Sequence, residues 1–371
     1  MRRVLSLIAV AGFAATLAAC GGGGNANEIV IAAAGPMTGS YAAFGEQFRH
    51  GAERAVADIN AHGGVLGKQL RLVIGDDACD PKQAVSVAND LVSQGAVMIA
   101  GHYCSGSSIP ASDVYQEANV PMISPASTAP DFTDRGLPNV FRVCGRNDAQ
   151  GPISADYVAA HMPNARIAIV DDRSTYGKDL ADQFRKSLNA RGIHQVMDET
   201  VVAGEKDYSP LVTRLKQANV DLVYYGGYHP EAGLIIRQMR EQGLQTKLMG
   251  GDSLVTQEFW TITGSAGEGT LLTFGPDPRL DPNNAALVKS FRDAGYEPEA
   301  YTLYTYAAIQ AWAEAAASAK TTDGDAVIKA LHAGQFGTVL GKLGFTAHGD
   351  ITSRAYVMYV WTNGKYVYAT P

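Results

Sequence analysis

Ala96-Val97-Met98-Ile99-Ala100-Gly101-His102-Tyr103-Cys104-Ser105-Gly106-Ser107-Ser108 decides the reading of the fold. The first five residues are a short apolar run, as expected of a strand buried in a parallel sheet. Residues 101–108 are small and rich in hydroxyls, and they lead into an expected helix near residues 111–116. A strand–turn–helix unit places its turn beyond the carboxyl end of the strand, where open α/β sheets bind ligands. A helix starting there offers free N–H groups and the positive end of a dipole, which suits an anion. Ser105 adds a hydroxyl, and Gly106 permits close approach. The turn reads as a cradle for a small carboxylate, with an ordinary helix-capping serine cluster as the plain alternative.

The same unit recurs on both sides. Strands are expected at residues 28–33, 70–74, 120–124 and 139–143, with helices at 45–60 and 81–93 between them. Pro125-Ala126-Ser127-Thr128 repeats the small, hydroxyl-bearing turn. After Gly145 the pattern restarts, with strands at 166–170, 196–202, 221–225 and 247–249. Helices are expected at 153–161, up to 190, and at 208–217 and 231–242. These strands end in turns carrying Tyr176, Tyr228 and Asp252. Strands alternating with helices predict an α/β fold of two similar, doubly wound lobes with mostly parallel sheets.

Pro276-Asp277-Pro278 interrupts the alternation. Helices at 283–295, 299–318 and 325–333 follow, then a hairpin of residues 355–361 and 365–368 around Asn363-Gly364, a pair suited to a type I′ turn. These pieces must complete the lobes, so the chain crosses between them more than once, in a multi-crossover hinge. The expected division is residues 28–145 and 276–348 for the first lobe, and 146–275 and 349–371 for the second.

The compartment is read from the start of the chain. Met1-Arg2-Arg3, an apolar stretch over residues 4–15 and Leu17-Ala18-Ala19-Cys20 form a secretory signal over residues 1–19. Its end resembles a bacterial lipobox, which implies a lipid on Cys20 and a membrane-anchored protein in the periplasm or at the cell surface; ordinary cleavage near Ala19 is the alternative. Residues 20–27 are Gly-rich and suit a flexible tether. No other stretch reaches the length of a membrane span.

The 371 residues are 46% hydrophobic and carry a formal net charge of −7. Such a chain suits two globular domains and, lacking a basic run, argues against nucleic acid. Cys79 and Cys104 follow two apolar runs by five and four residues. If those strands are neighbours, both cysteines stand above one sheet end, and an oxidising compartment predicts a disulfide between them. Cys144 is then left as a buried thiol. With no CxxC and no His pair at helical spacing, no metal is expected. Gly63-Gly64-Val65-Leu66-Gly67-Lys68 fails the phosphate-loop spacing, and Gly251-Asp252-Ser253-Leu254-Val255 fails the nucleophile-elbow pattern. His102 and Ser105 are too close in sequence to suggest a catalytic pair. No enzymatic constellation and no cofactor are expected.

Taken together, these stretches resemble the leucine/isoleucine/valine-binding receptors of ABC importers, the type I periplasmic binding proteins. The resemblance spans residues 51–60, 76–84 and 101–105, then 125–130, 203–207 and, most specifically, Tyr224-Tyr225-Gly226-Gly227-Tyr228-His229-Pro230-Glu231. It implies an extracytoplasmic monomer that captures a small, mainly apolar amino acid between its lobes and delivers it to importer permease subunits. A sensor of the same fold, binding an amino acid or amide for a regulatory partner, is the alternative. By position, Ser105 and Thr128, with backbone near Ala126 and Ser127, match groups holding the ligand's carboxylate. Ala126 and Thr128 also match groups facing its ammonium. Tyr176, Tyr228 and Asp252 match the second lobe's contribution, with Asp252 standing where the family usually has Glu. Phe44, Tyr103 and Tyr301 match positions around the ligand's side chain, and the hydroxyls of Tyr103 and Tyr301 depart from an apolar pocket. Cys79 and Cys104 match the family's disulfide.

Overall fold

The computed structural model describes residues 27–353 and 356–369. The signal sequence, Cys20, the tether up to residue 26 and the first residue expected of the hairpin lie outside these.

The first sheet holds β1 (Glu28–Gly35), β2 (Gln69–Asp76), β3 (Ile99–Gly101), β4 (Met122–Ser124) and β5 (Val140–Arg142), all parallel, in the order β2-β1-β3-β4-β5. The second holds β6 (Ile167–Asp171), β7 (Met197–Thr200), β8 (Leu222–Gly226), β9 (Lys247–Gly250) and β10 (Leu271–Phe274). β11 (Gln335–Thr338) and β12 (Gly341–Gly344) pair separately, and β13 (Val357–Thr362) and β14 (Lys365–Tyr368) extend the second sheet antiparallel. Its order is β14-β13-β10-β9-β8-β6-β7, so β7-β6-β8-β9-β10 repeats the topology of the first sheet. In each sheet the strand order reverses beside the first strand, and the crevice at that point is where a ligand belongs.

The helices are α1 (Ala42–Ala61), α2 (Pro81–Ser93), α3 (Ser105–Glu117), α4 (Asp131–Asp134), α5 (Asn147–His161) and α6 (Thr175–Asn189), then α7 (Ser209–Gln217), α8 (His229–Glu241), α9 (Gln257–Thr263), α10 (Ala285–Asp293), α11 (Ala300–Ala319) and α12 (Gly324–Ala333). Local chemistry explains several starts. Asp80 accepts from the Lys82 and Gln83 amides at 2.9 and 2.8 Å with Pro81 at the first helical position, so α2 begins as expected. α1 buries Phe44, Phe48, Ala52, Ala55 and Val56 at helical spacing. Gly51 lets α11 lie close: a Cβ there would stand 2.2 Å from the Thr302 carbonyl oxygen. Asn363 and Gly364 both take positive φ, as the hairpin turn requires.

Several expectations are corrected. β3 begins at Ile99 rather than residue 96, and the hydroxyl-rich turn is already helix, because α3 starts at Ser105. Parallel β10, α9 and the β11–β12 pair were not expected; each is short and lacks a clear alternation. Cys79 and Cys104 are joined, with Cα atoms 5.6 Å apart, but β2 and β3 are not neighbours. β1 lies between them, and the bridge spans its carboxyl end because each cysteine sits three residues past its strand.

α11 packs on α1 and on the ends of β3 and β4, so this late helix belongs with the first sheet. The chain therefore passes between the sheets after β5, after β10 and after β12. An ion cluster, buried at Arg142, Arg146 and Asp350 and exposed at Asp134, ties two of these passages together. The Arg142 guanidinium meets Asp350 at 2.8 Å, and Arg146 meets Asp350 at 3.1 Å and Asp134 at 2.7 Å. Arg142 also donates to the Ser127 and Ala129 carbonyls at 2.7 and 3.0 Å, which fixes the loop after β4 from behind.

Candidate functional site

The carboxyl ends of the two sheets face each other, and their side chains meet. On the first lobe, Ser105 opens α3 and its hydroxyl accepts from the Ala129 amide at 3.3 Å. The Ser127 hydroxyl is turned inward, bonded to Ser108 Oγ at 2.6 Å and to the Tyr103 carbonyl at 3.0 Å. The Ala126 and Ser127 amides donate to Ser124 Oγ at 3.2 and 2.9 Å. The loop is thus held by its own bonds, and the hydroxyl it leaves over is that of Thr128, fully buried and without a hydrogen-bond partner among the described residues. Behind it, His102 Nδ1 meets Asp77 at 2.5 Å and Nε2 meets the Tyr115 hydroxyl at 3.0 Å.

On the second lobe, Asp252 follows β9 and is 2% exposed. Its carboxylate accepts from Tyr176 at 2.8 Å, from Gln150 Nε2 at 3.0 Å and from Tyr301 at 2.6 Å. The Tyr301 bond crosses from one lobe to the other. Burial pushes the Asp252 carboxyl above its ordinary range, while the three side-chain donors pull it back. The phenols of Tyr176 and Tyr301 are themselves driven well up by burial, so they stay protonated and donate. No ion pair joins Asp252 to a basic side chain among the described residues.

Aromatic rings fill the space between. Phe44 stacks on Tyr103 with centroids 4.3 Å apart, and Tyr301 stands edge-on to both. Tyr228 lies 5.0 Å from Tyr176 and 5.9 Å from Tyr103, which again joins the lobes. All ten expected residues (Phe44, Tyr103, Ser105, Ala126, Ser127, Thr128, Tyr176, Tyr228, Asp252 and Tyr301) are buried, and ring contacts and hydrogen bonds join Phe44, Tyr103, Tyr176, Tyr228, Asp252 and Tyr301 in one patch, with Ser127 bonded to the Tyr103 carbonyl. Cys144 lies beside it as a buried free thiol, donating to the Ser127 carbonyl at 3.5 Å, and burial raises its pKa.

Two residues of the patch were not foreseen. Gln150 bridges Asp252 and Thr273, at 3.0 and 2.6 Å. Tyr41, at the start of α1, lays its ring 4.8 Å from Tyr228. A glutamine on a helix carries no signal of such a role, but Tyr41 stands three residues before Phe44 on the same helical face and could have been found from it.

The chemistry of the patch is that of a zwitterion clamp. A cradle of hydroxyls and a helix start suits a carboxylate, and a buried carboxylate opposite it suits an ammonium. Residues 28–365 match the family model described as periplasmic binding protein. The chain belongs to the periplasmic binding protein family. It is 50% identical over 345 residues to the Leu/Ile/Val-binding protein homolog 2 of Brucella abortus, covering 93% of each chain. It is 47% identical over 343 residues to an amino acid binding protein of Pseudomonas aeruginosa, covering 91% of this chain and 92% of that one. Among solved structures it resembles the leucine binding protein LivK of Thermotoga maritima, at 26% identity and a TM-score of 0.84 over 92% of this chain and 98% of that one. It also resembles LivJ of Streptococcus pneumoniae, solved with isoleucine, at 29% identity and a TM-score of 0.83 over 91% and 97%. As a periplasmic binding protein it is an extracytoplasmic solute-binding protein, and its two lobes are those of that fold.

Proposed function

We propose that this protein captures a small, mainly apolar amino acid of the branched-chain kind between its lobes and hands it, unchanged, to the permease subunits of an ABC importer. The observation that carries this reading is Asp252: a buried carboxylate held by Tyr176, Gln150 and Tyr301, with no basic side chain to answer its charge among the described residues. A ligand ammonium supplies that charge, and its carboxylate takes Thr128 and the start of α3 at Ser105. Ala126 and Ser127 shape the cradle through their backbone. Tyr228 and Tyr176 close on the ligand from the second lobe, while Phe44, Tyr103 and Tyr301 surround its side chain. The names of the Brucella and Streptococcus relatives support the ligand class.

The lobes divide at the three passages, as residues 28–145 with 276–348 and residues 146–275 with 349–371. The protein acts as a monomer, anchored at the periplasmic or cell surface by a lipid on Cys20. Both halves of the reading are tested directly. Protein refolded to strip endogenous ligand is titrated by calorimetry with leucine, isoleucine and valine, and the ligand is recovered afterwards. Tight binding and unchanged ligand are expected; absence of binding by all three, or a chemically altered ligand, overturns the reading. Cys20→Ala is expected to leave the protein unprocessed or in the aqueous phase of a detergent extraction, whereas wild type carries a lipid mass.

A further inference from the structure

The second sheet carries a polar cluster that the amino-acid cleft does not use. Asp172 follows β6, Tyr225 lies in β8, and Glu231 opens α8, so all three gather where the strand order reverses. Asp172 is 4% exposed and Glu231 3%, and Tyr225 is wholly buried. One oxygen of each carboxylate is satisfied: Asp172 Oδ1 accepts from the Ser174 amide and hydroxyl at 2.9 and 2.6 Å, and Glu231 Oε1 from the Gly204 amide at 2.9 Å. Asp172 Oδ2, Glu231 Oε2 and the Tyr225 hydroxyl are buried without a hydrogen-bond partner among the described residues. Burial and the two carboxylates together drive the Tyr225 phenol well up, and the charges that bear most on Asp172 are those of Glu231 and Asp171, both negative. Tyr41, half-buried at the start of α1, lays its ring 4.8 Å from Tyr228, and its phenol is raised by burial and by the charges of Glu231 and Asp172.

We propose that Asp172, Glu231 and Tyr225 form a second subsite in the cleft, specific for a primary ammonium, so that the protein admits amino acids with a side-chain ammonium as well as apolar ones. A primary ammonium has three N–H donors, and the cluster leaves three oxygens over. A divalent metal fits less well, since calcium takes six to eight oxygens, and among the described residues no metal-binding group of three or more His, Cys, Asp or Glu occurs.

The spacing suits one ligand spanning both acidic positions. β8 separates β9 from β6, so the turns bearing Asp252 and Asp172 stand about 10 Å apart, two inter-strand spacings. The α- and ω-nitrogens of extended lysine lie about 7 Å apart by bond lengths. With hydrogen bonds of about 2.8 Å at each end the ligand reaches about 13 Å, enough to cover that separation with the carboxylate side chains lying off the line between the turns. The methylenes between would run past Tyr228, which lies between the two turns.

The inference rests on the reading that the ligand's α-ammonium meets Asp252, and the test separates the two. Stripped full-length protein is titrated by calorimetry with leucine, with lysine and with norleucine, which replaces the lysine ammonium by a methyl. The same is done with the Asp172→Asn/Glu231→Gln pair of isosteric changes and with Tyr225→Phe. Wild type is expected to bind lysine, and the double change to lower lysine affinity roughly tenfold or more while leucine and norleucine shift by less than about threefold. Tyr225→Phe should act in the same direction with a smaller effect. Binding of leucine without lysine by wild type overturns the subsite and leaves the amino-acid reading standing; binding of neither overturns both. Equal loss of leucine and lysine in the double change also overturns the subsite, because a structural role would move both ligands together.

Discussion

The two lobes are built on the same sheet, yet they treat buried charge in opposite ways. In the first, the buried ionisable groups near the sheet end have side-chain partners within the lobe or its crossings: Asp77 bonds His102, and Arg142 pairs with Asp350, with the Cys79–Cys104 bridge across the end of β1. In the second, Asp252, Asp172 and Glu231 lie buried at the matching sheet end with hydroxyl and amide donors and no cation among the described residues. The first lobe is a settled scaffold that offers Thr128 and a helix start. The second holds electrostatic cost that a cation relieves. On the proposed reading a ligand that satisfies both lobes at once, as a zwitterion would, favours closure, since only differential affinity shifts such an equilibrium.

The sharpest way to break this comparison is Asp252→Asn. It keeps shape and removes the charge, and amino-acid affinity should fall by about 2–5 kcal/mol, or roughly 30-fold to several thousand-fold. Calorimetry reads the affinity and thermal unfolding the ligand-free stability. Unchanged affinity with a lowered melting temperature would make Asp252 a structural residue, and the lobes would no longer differ in role.

The first lobe's settled character is probed by Cys79→Ser with Cys104→Ser. The bridge joins residues 25 apart in sequence. Its loss should cost about 3–4 kcal/mol of unfolding free energy in the chain-entropy account, read from urea curves with and without reductant. Non-reduced peptide mapping should link these two cysteines, and Cys144 found paired with either would refute the assignment.

Asp172 tests the cost held in the second lobe. Burial raises its carboxyl to about 6 despite two bonds from Ser174. A raised folded-state pKa means stability that is fully present below the ordinary carboxylate pKa and lost as pH climbs through about 6. Asp172→Asn removes that loss. The variant should exceed wild type by about 1–3 kcal/mol at pH 8 and match it by pH 4. A variant less stable than wild type at pH 8 would mean that the carboxylate is answered in solution and that the contrast between the lobes is overdrawn.

The smallest effect is expected on the first lobe's ligand face. Thr128→Val removes one hydroxyl contact and should weaken amino-acid binding by about 1–2 kcal/mol. Ligand-free stability should hold or rise slightly, since the buried hydroxyl has no partner to lose among the described residues. A drop in stability without a change in affinity would place the hydroxyl's role in the scaffold.

Much was legible because it is local. Short apolar runs ending in Gly, Ser and Asp turns mark parallel strands, and Asp80-Pro81 marks a helix start, since both depend on a few neighbouring residues. The candidate site residues were proposed from the turns that follow strands, where topology puts ligands, and from resemblance for Phe44 and Tyr301, which no strand-end argument reaches. Other features depended on folding. The disulfide was expected between neighbouring strands, yet β1 lies between them. Gln150 is 102 residues from Asp252, and only the packing of α5 against the second sheet brings them together.

By itself the sequence determined the repeated α/β pattern, its two halves, and the turns that carry polar groups, because periodicity and turn chemistry are properties of adjacent residues. The tertiary structure decided which buried charges are answered. Asp77 and Asp172 look alike along the chain, each a carboxylate just past a strand. One bonds His102 and the other only Ser174, with the charge of Glu231 adding to the burial that raises its carboxyl, because the cost of a buried charge is set by what surrounds it in space.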